Sequence, residues 1–355
     1  MTCRNTTSRF RLPAIAALAC GVALFASHSF AADAFTYNSD KPDAKQVIGA
    51  ELNKTFGPVE KKDGVKIGVV LKSLTNQYWQ GIAKGVEAAA RDLGVEVTIQ
   101  AANSEADPTQ QLTIAQTLIG RNFDAYVLSP VSVSNLTPAI RELHDRNVPI
   151  ANADDARIAA TVYVGPNHEL NGVVAADYMA EHLPDGGDVA QIEGQAGSSA
   201  AILRIKGFKE GIEKHANLKL VASVPGNWDG TQAYNATQTI LRKNPEIKAI
   251  YANNDTMAVG VAKAVSDMGL TGKIIVVGTD GIPAALDGIK NGTISATITP
   301  LPYYQGYWSV EALVRLLDGQ KIPDWVVAPA QLITKDNMAE FFDEKYDVKE
   351  GLYNK

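Results

Sequence analysis

From Val65 onward the chain alternates short apolar runs with amphipathic stretches. The runs are VKIGVVL, VEVTIQA, DAYVLS, VPIANA, DVAQIE, LKLVASV, IKAIYA, KIIVVG and ISATIT. Between most of them the apolar positions take helical spacing, as in YWQGIAKGVEAAARDLG and TMAVGVAKAVSDMG. Several of these stretches end near Gly94, Gly269 or Gly292, where a left-handed C-cap suits glycine. Strands that are almost continuously apolar, alternating with helices, predict parallel sheets covered on both faces. Right-handed crossovers follow. The pattern then restarts: FDAYVLSPVSVSNL followed by NVPIANADD echoes IKAIYANNDTMAVG followed by KIIVVGTDG. The fold class is therefore α/β, with two lobes of similar build facing each other. The first runs over 65–165 and the second over 166–299. Residues 32–64 are polar and poor in strand pattern. Within them DAKQVIGAELNKTF predicts a short helix with Val47, Ile48 and Leu52 on one side, part of an extension draped over the first lobe.

The N-terminus changes the picture of where the chain works. Arg4, Arg9 and Arg11 precede an apolar stretch from Leu12 to Ala26, and Ser29 and Ala31 are spaced for signal-peptidase cleavage. Residues 1–31 read as a secretory signal, too short and wrongly flanked for a spanning helix. The segment holds three arginines and no acid, so its removal takes the formal charge from −6 to −9. Both cysteines, Cys3 and Cys20, lie within it. The mature chain is then expected to carry no disulfide, thiolate metal site or cysteine nucleophile. A lipid anchor at Cys20 is the lesser reading, because that residue sits inside the apolar core of the signal. The composition, 46% hydrophobic and 20% charged, is that of an ordinary globular protein. With no basic block and an acidic balance, nothing points to nucleic acid.

Open parallel sheets bind ligands beyond the carboxyl ends of their strands, and polar residues collect there. The first lobe offers Lys72, Ser73 and Asn76, then Ser129, then Asn152 and Asp154. The second offers Gln195 and Ser198, Asn253, Asn254 and Asp255, and Asp280. Two facing lobes would gather them into one cleft. Aspartate accepts several hydroxyl protons, while asparagine and lysine return donors; aromatic rings cover apolar faces. Tyr78 and Trp79 are neighbours at the start of one helix, so they point about 100° apart, and both cannot easily face one core. One of them, with Trp228 of VPGNWDG opposite, would wall a cleft for a polyhydroxylated molecule. Plainer uses compete. Asp280 could cap the helix starting at Ile282, and Asn254 or Asp255 the helix TMAVGVAKAV. Trp79 taken alone more often belongs to a core. Lys72 reads as a rim or supporting group, and His144, His168, His182 and His215 as surface residues without metal-ligand spacing. No catalytic or nucleotide-binding fingerprint appears, so no enzyme activity, cofactor or metal is expected. A glycosidase pair of Asp154 and Asp280 has nothing to single out its acid.

The segments LKSLTNQYW, VPIANADD, IEGQAGSSAA, KLVASVPGNWD, IKAIYANNDTMAVGVAKAV, VVGTDGIPAAL and GTISATITPLP together resemble the periplasmic sugar-binding proteins of bacterial ABC importers, in the ribose- and allose-binding branch. The resemblance runs from about Val65 to Thr334. It implies two Rossmann-like lobes with parallel sheets, joined by a three-crossing hinge near Gly165–Asn167, Thr299–Leu301 and Ala328–Gln331 and closing on one monosaccharide or polyol. Residues 300–328 would then complete the first lobe and 329–340 the second, leaving 341–355 as a tail. Asn76, Tyr78, Trp79, Asp154, Trp228, Asn254 and Asp280 match ligand positions of the family, with Lys72, Asp155 and Arg204 as further candidates. Three positions depart from the ribose pattern: Asp155 and Ile202 stand where arginines would, with Arg204 two residues on, and Pro300 replaces a hinge glutamine. A guanidinium fork has no silent substitute, so a hexose, a polyol or an amino-substituted ring stays open. The implied partner is an inner-membrane permease and the implied place is the periplasm, with the protein a monomer. Sugar sensing for a chemoreceptor or sensor kinase would use the same site. A repressor of related fold would need a DNA-binding segment where the signal lies.

Overall fold

The computed structural model describes residues 1–2, 34–349 and 351–353. The signal-sequence reading, with Cys3 and Cys20, falls outside the described residues. In chain order the strands are Gln46–Ile48 (β1), Lys66–Ser73 (β2), Glu96–Ala102 (β3), Ala125–Leu128 (β4), Ile150–Ala153 (β5), Val162–Gly165 (β6) and Gly187–Glu193 (β7). They continue with Leu218–Pro225 (β8), Ile247–Ala252 (β9), Ile275–Thr279 (β10), Ala296–Thr299 (β11), Trp325–Val327 (β12) and Gln331–Ile333 (β13). The α-helices are Leu52–Phe56 (α1), Gln77–Leu93 (α2), Pro108–Ile119 (α3), Thr137–Asp145 (α4), His168–His182 (α5) and Ser199–Lys214 (α6). After these come Gly230–Lys243 (α7), Asp255–Asp267 (α8), Pro283–Asn291 (α9), Pro302–Leu317 (α10) and Met338–Phe341 (α11).

Two sheets form. The first has the order β1-β12-β6-β5-β4-β2-β3 and the second β13-β11-β10-β9-β7-β8. All pairings are parallel except β11 with β13. Each of the apolar runs quoted above forms a strand; the inner ones are buried between helices on both faces, while β3 and β8 at the sheet edges are only partly buried. In the first sheet one face packs on α2 and α10 and the other on α3 and α4; in the second, α7, α8 and α9 oppose α5 and α6. The chain passes between the sheets at 166–167, 300–301 and 328–330. This is the two-lobed type I periplasmic binding protein fold.

Segment 34–64 differs from its sequence reading. Val47 and Ile48 lie not on a helix but in β1, which pairs with β12 at the sheet edge; only Leu52–Phe56 is α-helical. Three residues of half-exposed strand leave no pattern to read. The tail also packs: Phe342 is buried beside Gly281, and the Tyr304 hydroxyl donates to the Lys349 carbonyl.

Candidate functional site

The helix caps place the first site residues. Asn76 caps α2 by accepting from the Tyr78 N–H at 2.9 Å, and α2 ends on left-handed Gly94. Asn254 caps α8 by accepting from the Met257 N–H at 2.9 Å. In both, the amide nitrogen is turned away from the helix backbone. Asn76 Nδ2 donates to Glu105 at 2.7 Å. Asp280 is not a cap: α9 begins after Ile282 without a side-chain cap. Asp280 sits at φ 142°, and Asp154 and Asp155 at φ 55° and 48°. Non-glycine residues persist in such conformations only where their surroundings over-determine them. For Asp280 the determinant is Asp255, whose Oδ2 accepts from the Gly281 and Ile282 N–H groups at 2.7 and 3.0 Å.

These elements bring Asn76, Tyr78, Trp79, Asp154, Asp155, Arg204, Trp228, Asn254 and Asp280 around one gap of about 30 Å³ between the sheets, with Glu105 and Ala200 completing its wall. Next to it lies a groove of about 690 Å³ that shares Asn76, Glu105 and Trp228 in its lining. Tyr78 and Trp79 both face the gap, packed edge to face with ring centroids 5.1 Å apart at 86°. Both also belong to the apolar core. The alternative of core or wall was false: at the N-terminus of α2 the core surface and the cleft wall are continuous.

Lys72 is not on the rim. It is buried beneath the site in contact with Asp155, and its ammonium lies 5.5 Å from the Trp79 ring centre. Burial pushes Lys72 down to about 8, while Glu105 and Asp154 oppose the fall. Asp155 is the ion-pair partner of that ammonium. Asp155 also accepts from Ser198 Oγ at 3.0 Å and the Ala200 N–H at 3.1 Å, tying the first sheet to the N-terminus of α6. The cation that suits Asp155 is thus the protein's own.

Arg204 is the second-lobe guanidinium; Ile202 is exposed. Nη1 donates to the Asn253 carbonyl at 2.6 Å and lies 3.6 Å from Asp280. The Trp228 ring is 5.8 Å away. Nη2 faces His168 Nδ1 at 3.4 Å. His168 is buried at the base of the cleft, contrary to the surface reading, because it follows directly on the crossing at 166–167. Since guanidinium only donates, Nδ1 accepts and the ring proton is assigned to Nε2, which lies 3.2 Å from Asp154 Oδ1 without hydrogen-bond alignment. Burial lowers the His168 pKa, with Asp154 opposing. The two lobe aspartates are pushed apart. Burial works against the charge of Asp154, but His168, Arg204 and Lys72 outweigh it and lower its pKa. Burial, with Asp255 and Asp154 nearby, holds Asp280 well above the carboxylate range despite Arg204. Among the described residues no group of three or more His, Cys, Asp or Glu side chains is placed to hold a metal.

The model of the family described as periplasmic binding protein domain matches residues 67–321. This chain belongs to that family. Among its relatives, the D-allose-binding periplasmic protein of Escherichia coli is 35% identical over 283 residues, 75% of this chain and 91% of that one. The ribose import binding protein RbsB of Bacillus subtilis is 30% identical over 271 residues, 76% of this chain and 87% of the relative. An ABC transporter periplasmic solute-binding protein from Actinobacillus succinogenes, solved with bound D-allose, superposes with a TM-score of 0.73 at 30% identity, covering 77% of this chain and 98% of its own. Members of this periplasmic binding protein family are binding proteins rather than enzymes.

Proposed function

We propose that the mature chain is the periplasmic solute-binding subunit of an ABC importer, closing its lobes on one monosaccharide or polyol and delivering it to a membrane permease. One observation carries this reading: groups from both sheets converge on a single buried gap, with the carboxyls of Asp154 and Asp280, the amide of Asn254 and the guanidinium of Arg204 set between Tyr78, Trp79 and Trp228. A sugar hydroxyl both donates and accepts, and its ring has apolar faces; this set answers each property. The gap is far smaller than the ~300 Å³ at the low end of drug-sized pockets, so the lobes part at the three crossings to admit a ligand. Binding both lobes at once then favours closure. Micromolar affinity needs about −8 kcal/mol, within reach of a few charge-assisted hydrogen bonds plus ring stacking after ordering costs. The relatives' named ligands, D-allose and ribose, support the class. Export through a cleaved signal over 1–31 and function as a monomer complete the proposal.

The test is a thermal-shift and calorimetric screen of residues 32–355 against pentoses, hexoses and polyols, D-allose and D-ribose included. At least one sugar raises the melting temperature without being turned over. Asp280→Ala and Trp228→Ala abolish the shift and leave the circular dichroism spectrum folded. A full ligand response in both variants refutes the site.

A further inference from the structure

Tyr78 carries a hydroxyl that the aromatic-wall role does not use. Its one partner among the described residues is Gln305 of α10, whose Nε2 lies 2.9 Å from Tyr78 Oη. The same Nε2 lies 3.1 Å from the carbonyl oxygen of Pro300, in the crossing between β11 and α10. A carbonyl can only accept, so the amide must present nitrogen to Pro300; the flipped amide would set two oxygens against each other. One N–H of Nε2 then goes to Pro300 and the other to Tyr78 Oη. The phenol oxygen accepts, and its own proton is left for another acceptor. Among the described residues none is bonded to it.

The mounting is rigid. A Cβ on Gly85 would lie 1.7 Å from the Tyr303 carbonyl oxygen, and one on Gly306 would lie 2.0 Å from the Ile82 carbonyl oxygen. Helices α2 and α10 therefore touch backbone to backbone, which fixes Tyr78 against Gln305. Gln305 is fully buried, and its Oε1 has no hydrogen-bond partner among the described residues. An unpaired buried amide oxygen costs stability, and a natural protein that keeps one asks for a reason. The phenol stays protonated: burial first, then Asp154 and Asp280, raise its pKa.

We infer that Gln305 is a positioning residue for ligand selection, holding the Tyr78 hydroxyl as a hydrogen-bond donor aimed at one ligand oxygen beside the hinge. This rests on the sugar-binding reading. It adds a directional contact to a ring otherwise read as a stacking surface. The pair spans α2 and the crossing at Pro300, so the donor is in register only when that crossing is in the conformation seen here.

The experiment is isothermal titration of wild type, Tyr78→Phe, Gln305→Met and the double variant. The probe is whichever of D-allose, D-ribose, D-arabinose and myo-inositol binds wild type most tightly, together with its monodeoxy analogues. Tyr78→Phe weakens binding about tenfold, the scale of one neutral hydrogen bond. Gln305→Met weakens it several-fold, and the double variant is no weaker than Tyr78→Phe alone. One monodeoxy analogue binds wild type and Tyr78→Phe equally, which identifies the oxygen read by the phenol. Wild-type affinity in Tyr78→Phe overturns the inference while leaving the sugar site standing. So do losses that multiply in the double variant. If none of the four probes binds wild type, the sugar-binding reading falls and takes this inference with it.

Discussion

Asp255 supports the site without lining it, and its replacement separates hydrogen bonding from charge. It is fully buried at the start of α8 and accepts three bonds: from Gly281 N–H, Ile282 N–H and, at 2.7 Å, Thr297 Oγ1. Asp255→Ala strands three buried donors at ~1–3 kcal/mol each, so a loss of about 4 kcal/mol is expected. The turn carrying Asp280 loses its anchor as well, so ligand affinity falls. Asp255→Asn behaves differently. The amide oxygen can still accept from Gly281 and Ile282, and the threonine hydroxyl can turn to accept from the amide nitrogen. What is lost is the charge, and burial has already made that charge unfavourable, raising the pKa from 3.8 to about 6. The folded state holds this proton more tightly than the unfolded chain. Its contribution is therefore full below pH ~4 and is lost as pH rises through about 6, by about 3 kcal/mol at 1.36 kcal/mol per unit. Urea unfolding of both proteins at pH 4 and pH 7 reads this directly. Asp255→Asn should match wild type at pH 4 and exceed it by up to about 3 kcal/mol at pH 7. Equal pH slopes in the two proteins would refute the reasoning, as would an Asp255→Ala protein of wild-type stability.

Two further perturbations probe the same frame. Lys72→Met leaves Asp155 buried without its cation and should cost about 3–5 kcal/mol, most of it recovered in Lys72→Met/Asp155→Asn; urea midpoints decide, and a cost below ~1 kcal/mol for the single change would mean the pair is not formed. Gly207→Ala would set a Cβ 1.9 Å from the Glu169 carbonyl oxygen, forcing α5 from α6 at a cost of ~1–3 kcal/mol. Because these helices carry His168 and Arg204, calorimetry should show sugar binding weakened in step with the lowered melting temperature, and a variant with wild-type values for both would contradict the packing described.

The strands most legible in the sequence are those the fold buries on both faces. VKIGVVL and IKAIYA announce themselves because no side of β2 or β9 needs to be polar. The strands that escaped, β1, β6, β12 and β13, are three or four residues long. Their pairing is decided by neighbours brought from elsewhere: β1 finds β12 across most of the chain. The same distinction governs the site. Asp154, Asn254 and Asp280 follow strands, so the topology of an open sheet suffices to place them. Glu105 follows β3 in the same way, yet NSEAD held too many polar residues for one to stand out. His168 opens a helix, and nothing local distinguishes it from His182 on the same helix; only the crossing at 166–167 sinks it into the cleft. Gln305 depends on two glycines whose packing no periodicity reveals.

Charge was the least legible property, because it belongs to pairs rather than to residues. Asp155 read as a surplus acid inviting a cationic ligand, and its partner Lys72 stands 83 residues earlier. Once that pair is removed from the account, the site holds Asp154, Asp280, Glu105 and Arg204. Arg204 lies beside Asp280 and Glu105 beside Asn76. Asp154 Oδ1 is then the charged oxygen without an aligned donor. On the proposed sugar-binding reading, the carboxyls of Asp154 and Asp280 and the phenol of Tyr78 suit a ligand bearing several hydroxyls. An ammonium-bearing ring would satisfy Asp154 but would meet Arg204, which acts on that same carboxylate. On the proposed sugar-binding reading, neutral sugars and polyols are expected to bind in preference to amino sugars.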